Sequence, residues 1–107
     1  VAIIFKEFKF KISRDACESI NRVIYAVLAK GEVQDENDML LLAVLADLSQ
    51  MLTLKLAKGI MELKIKLTPA QAMALRIFYF DYVNDFTTYE GNKLFHLANK
   101  IAKEMGI

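Results

Sequence analysis

Two stretches of the chain alternate strictly between apolar and polar residues. Glu7-Phe8-Lys9-Phe10-Lys11-Ile12-Ser13 and Glu62-Leu63-Lys64-Ile65-Lys66-Leu67-Thr68 both read acid, apolar, Lys, apolar, Lys, apolar, hydroxyl. Successive side chains leave opposite faces of a pleated strand, so a period of two marks a half-buried strand. The pattern predicts two strands, with Phe8, Phe10, Ile12, Leu63, Ile65 and Leu67 turned to a core. Their glutamates and lysines face water or a partner.

After each strand the period lengthens to that of a helix. Ile20, Val23, Ile24, Val27 and Leu28 form one stripe at spacings of three and four, and Leu75, Phe78, Tyr79, Tyr82 and Val83 form another. Ser13 and Thr68 stand at the expected N-caps. Thr68 is followed by Pro69, which loses nothing at the first helical position, and by Gln71, which can close a capping box. A further apolar run follows each helix, where Met39, Leu42 and Ala43 match Leu94, Leu97 and Ala98. Asn37 and Asn92 precede these runs as candidate caps. Gly31, Gly59 and Gly106 lie where helices should stop. Helices are expected over about 15–30, 36–57, 69–85 and 90–105.

A shift of 55 residues lays the second half on the first: strand on strand, hydroxyl cap on hydroxyl cap, stripe on stripe. The expected fold is α+β, an internally duplicated β-α-α unit with repeats of about 1–55 and 56–107 in a single domain spanning 1–107. A two-stranded ribbon is marginal alone, so it should pack on four helices about a pseudo-two-fold axis.

Composition narrows the classes of function. Hydrophobic residues make up 55% of the 107 and charged residues 25%, which favours a packed fold over disorder. Fourteen Lys and Arg against thirteen Asp and Glu give a net charge of +1, so bulk attraction to nucleic acid or anionic lipid is not expected, and such binding would have to come from a local patch. Cys17 is the sole cysteine and cannot form an intramolecular disulfide, which suits a reducing, cytoplasmic setting. The most membrane-like stretch, Met39 to Ala57, is interrupted by Asp47, Ser49, Gln50, Thr53 and Lys55 and is read as non-membrane.

A strand with outward polar residues followed by two helices resembles the ribbon–helix–helix family of DNA-binding proteins. Both halves of the chain carry that unit, as if a dimer of the family had been written in tandem. The resemblance implies a ribbon that enters the major groove, with Lys9, Lys11, Lys64 and Lys66 directed at bases or phosphates. It also implies phosphate anchoring by the amides around Asn37 and Asn92. The acids Glu7 and Glu62 on the same strand face depart from that pattern, as do Asp35, Glu36, Asp38 and Glu90 beside the anchors.

Candidate chemistry is sparse. His96 is the sole histidine, so a two-histidine metal site within one chain is impossible. A Cys17–His96 nucleophilic pair lacks an evident orienting group, and no phosphate loop, dinucleotide fingerprint or zinc spacing appears. Asp35-Glu36-Asn37-Asp38 reads as a solvated helix start, and Asp81 with Asp85 as a solvated face. The aromatic run Phe78-Tyr79-Phe80-Asp81-Tyr82, with Phe86 and Tyr89, reads as core. No catalytic, cofactor or metal residues are assigned.

Differences between the halves point elsewhere. Met73, Ile77 and Phe80 stand where the first half has Glu18, Arg22 and Tyr25, which gives the third helix a second apolar stripe. Leu41, Leu45 and Leu48 stand against His96, Lys100 and Lys103. These two helices either form the centre of the domain or build an interface. The expected function is a non-catalytic interaction or assembly module, a homodimer or a partner of another protein. A DNA-binding regulator of ribbon–helix–helix type is the alternative.

Overall fold

The computed structural model of the chain describes residues 5–82, 84 and 86–106. Six elements follow in the order β1 (Phe8–Ser13), α1 (Arg14–Lys30), α2 (Glu36–Leu56), β2 (Glu62–Leu67), α3 (Pro69–Asp81) and α4 (Thr88–Met105). The fold is α+β, as expected: β1 and β2 pair into one two-stranded antiparallel sheet, accompanied by four helices. The register runs from Phe8 opposite Leu67 to Ser13 opposite Glu62. Its inward residues Phe8, Ile12, Leu63, Ile65 and Leu67 are buried, and Phe10 is partly buried against them. The backbone N–H of Arg14 donates to the Met61 carbonyl at 2.7 Å, which ties the start of α1 to the approach of β2.

Local chemistry starts and stops the helices. The Ser13 hydroxyl accepts from the Ala16 N–H at 3.2 Å, and Thr68 with Gln71 forms a full capping box above Pro69. Gly31, at φ +60°, ends α1 in the left-handed conformation that glycine adopts without a Cβ clash. Two caps and one helix end differ from expectation. The cap of α2 is Asp35, whose carboxylate accepts from the Asp38 N–H at 2.9 Å, while the Asp38 carboxylate accepts from the Gln34 N–H at 3.1 Å. This exchange satisfies two donors at once, and a carboxylate suits the positive helix end. Asn37 therefore lies inside α2. Likewise α4 opens after Thr87, so Asn92 lies inside that helix. Finally, α3 closes at Asp81 instead of reaching 85, and Val83 and Asp85 lie outside the described residues.

α2 packs between α1 and α3, and α4 between α3 and α1. The core gathers Ile20, Ile24 and Val27 of α1, Leu75 and Phe78 of α3, and Leu94, Ile101 and Met105 of α4. Leu41, Leu45, Leu48 and Leu52 supply the α2 side. Of the two roles open to Leu41, Leu45 and Leu48, the structure assigns the core. They form one face of α2 directed at its neighbours, and Leu45 is 0% exposed.

A polar lock joins α1 to α2 at the edge of this apolar setting, with Asn21 and Ser49 buried and Thr53 exposed. Asn21 accepts from the Ser49 hydroxyl at 2.7 Å and donates to the Thr53 hydroxyl at 3.0 Å; Thr53 in turn donates to the Ser49 carbonyl. Buried polar groups are tolerated when every one has a partner, and they specify how two helices align.

Candidate functional site

The outward face of the ribbon is built from lysines. Pairing sets Lys9 opposite Lys66 and Lys11 opposite Lys64, and all four are exposed. Like charges placed directly across a sheet repel, by roughly 0.2–1 kcal/mol per pair. Strand alternation forces this arrangement: turning the apolar residues to the helices turns every lysine outward together. Among the described residues relief comes at one end, where the Lys66 ammonium lies 3.0 Å from the Glu7 carboxylate. Both side chains are more than half exposed, so this pair contributes little.

Two helices enlarge the cluster. Lys55, in the last turn of α2, and Lys100, on α4, line a groove of about 810 Å³ together with the four ribbon lysines. Phe10, Ile65 and Leu97 supply its apolar part. The Lys100 ammonium also lies 5.9 Å from the centre of the Phe8 ring, within reach of its π face. Six of the fourteen Lys and Arg residues thus share one groove in a chain of net charge +1. Among the described residues no acidic side chain lines it, and Glu7 meets it only at its edge through Lys66. Such a concentration attracts a polyanion irrespective of the overall charge.

The remaining nucleic-acid candidates are not part of this groove. Asn37 lies 18 residues before Lys55 on α2, about 27 Å along the helix axis. Asn92 is exposed near the start of α4, whereas the groove takes Leu97 and Lys100 from further along the same helix. The carboxylates of Asp35 and Asp38 already serve the N–H groups at the opening of α2.

The interface candidates also separate. Leu41, Leu45 and Leu48 belong to the core, and Met73 is partly buried against it. Ile77 is 42% and Phe80 53% exposed on α3. Phe80 stacks beneath the Arg76 guanidinium, 4.9 Å from the ring centre, and Arg76 also donates to the Ala98 carbonyl at 3.0 Å. A larger apolar surface escaped sequence reasoning. Met39, Leu40 and Leu54 are all at least 60% exposed, on the side of α2 away from the buried leucines. The trace of it in sequence is that α2 is apolar around its whole circumference. By length and composition alone α2 is able to cross a membrane, yet Leu41, Leu45, Leu48 and Leu52 pack it into the core.

The residues considered for catalysis do not converge. Cys17 is buried among apolar side chains, and burial pushes its thiol from 9.0 up to about 11, against the opposing charge of Arg14. His96 is exposed on α4, with its ring edge-on to Phe95. Among the described residues no group of three His, Cys, Asp or Glu side chains is placed to hold a metal ion. Of the aromatic run, Phe78 is in the core, Tyr79, Tyr82 and Phe86 are partly buried, and Phe80 and Tyr89 are exposed.

No protein-family model, curated protein or solved structure matches the chain.

Proposed function

We propose that this chain is a non-catalytic binding module, a single-chain ribbon–helix–helix unit whose lysine face takes the backbone of duplex DNA. The observation that carries the reading is the pairing of lysine with lysine across the ribbon, Lys9 with Lys66 and Lys11 with Lys64. A surface that repels itself when empty is stabilised when a polyanion covers it. A two-stranded ribbon also fits the major groove, which is about 12 Å wide. Lys55 and Lys100 flank the ribbon and take the phosphate-anchoring role that the resemblance would give to the amides near Asn37 and Asn92.

Duplication of a β-α-α unit accounts for this face. Under a shift of 55 residues, Phe10 pairs with its own equivalent, Ile65, at the centre of the ribbon. Lys9 then meets the equivalent of Lys11, and Lys11 the equivalent of Lys9, as a pseudo-two-fold axis through the ribbon requires. The buried stripes of α2 and α4 also correspond. Leu94, Ala98, Ile101 and Met105 each follow Leu41, Leu45, Leu48 and Leu52 by 53 positions. Two residues fewer between α3 and α4 reconcile that spacing with the 55 of the strands. A buried, unreactive Cys17 fits a reducing cytoplasm and a role without chemistry.

The exposed apolar side of α2 favours a second reading, in which the chain is an assembly module that docks on protein, first of all on another copy of itself. Titration of a fluorescent random duplex at low salt tests the first reading. Binding that disappears when Lys9, Lys11, Lys64 and Lys66 are all replaced by Ala supports it. Failure of the unmodified protein to bind removes it.

A further inference from the structure

We propose that two copies of this chain dimerise through the outer faces of their α2 helices, packed antiparallel. The inference rests on the assembly reading and is independent of the ribbon. The stripe diametrically opposite the buried leucines consists of Met39, Ala43, Ala46, Gln50 and Leu54, and every one of them is exposed. Helix faces turned to water normally carry Lys and Glu, but between Met39 and Leu54 the sole charge is Asp47. The crossing falls at the C-terminal end of this stripe, where Gln50 and Leu54 are exposed between Asp47 and Lys58.

Surface shape and charge both identify the occupant as a second copy. Gln50 and Leu54 form a ridge between two hollows. One, of about 330 Å³, carries Asp47 and Lys58; the other, of about 240 Å³, is closed by Tyr25 and Leu28 of α1. A ridge with a hollow on each side is complementary to itself, so the ridge of one copy enters a hollow of the other. Asp47 lies in the middle of α2 and Lys58 in the turn that follows it. An antiparallel crossing centred between Leu52 and Thr53 brings Asp47 of each copy to Lys58 of the other, twice per dimer. A parallel crossing sets Asp47 level with Asp47 and Lys58 level with Lys58, so neither charge meets its complement. Self-complementarity of this kind is what a two-fold interface demands, because the same patch serves both sides.

Sedimentation equilibrium with circular dichroism on the full chain tests the proposal. The unmodified protein should sediment as a dimer. Asp47→Lys and Lys58→Asp each place like charges in contact, so each alone should sediment as a folded monomer, its dissociation constant raised about ten-fold or more. An equimolar mixture of the two variants has both contacts restored and should dimerise again. An unmodified protein that is monomeric overturns the inference, whether it then partitions into lipid vesicles or captures a different protein. Two variants that remain monomeric when mixed overturn it as well. Neither residue lines the lysine groove, so duplex binding by a monomeric protein would defeat the dimer and leave the ribbon reading standing.

Discussion

Lys11 and Lys64 sit directly opposite one another in the antiparallel ribbon, both exposed and both on the lysine-lined groove. Neither has an ion-pair partner among the described residues. The pair opposes folding and, in the proposed function, serves binding. Lys64→Glu should therefore move the two properties in opposite directions. We expect a gain of about 0.5 kcal/mol in stability, from a new cross-strand ion pair, that shrinks with added salt. Duplex binding should weaken in the same variant. Urea melts at two salt concentrations, read beside a binding titration, check both halves.

Asn21 holds Ser49 and Thr53 within the α1–α2 contact. Asn21→Ala should strand the buried Ser49 hydroxyl and cost about 1–3 kcal/mol. A lower urea midpoint with an unchanged slope is the expected outcome; no change would mean that water replaces the asparagine without loss.

Burial raises the Cys17 thiol to about 11 from 9.0. An unfolded thiol ionises at the lower pH, so this contribution is complete below pH 9 and is lost as pH climbs toward 11. The whole effect amounts to about 2–3 kcal/mol. Melts at pH 8 and above should show stability falling more steeply for the unmodified protein than for Cys17→Ala. Parallel curves would place the thiol in contact with water.

Ile77 is half exposed on α3, whereas Leu45 is sealed inside the core. Ile77→Asp should remain folded, with a change within about 0.5–1 kcal/mol, since exposed positions carry no desolvation penalty. Leu45→Asp should unfold the chain, because nothing beside it pairs with a carboxylate. Circular dichroism on the two variants separates them.

Local chemistry was largely legible in the sequence. Alternation located both strands, and the hydroxyl caps Ser13 and Thr68 marked the starts of α1 and α3, because each acts within three residues of itself. Readings that depend on distant parts of the chain went astray. Asp35 displaced Asn37 as the cap of α2 because a carboxylate answers the helix dipole better than an amide. Comparison at a constant 55 positions set Leu41, Leu45 and Leu48 against His96, Lys100 and Lys103, which left core and interface both open for the leucines. In the structure they are buried, and the buried Leu94, Ala98 and Ile101 of α4 follow them by 53 positions. The candidate site was half visible. Four lysines follow from alternation, whereas Lys55 and Lys100 join them only once α2 and α4 are packed.

The central claim is that the lysine groove binds duplex DNA through its backbone, and the salt dependence of that binding tests it most directly. Each phosphate neutralised by a lysine contributes about 0.9 to the slope of log affinity against log salt. Anisotropy titrations of a random duplex between about 50 and 200 mM salt should give a steep negative slope for the unmodified protein. Replacing Lys9, Lys11, Lys64 and Lys66 with Ala should flatten it by about 3–4 and leave the circular dichroism spectrum unchanged. Absence of binding at the lowest salt, or a slope that the four substitutions leave intact, would contradict the account.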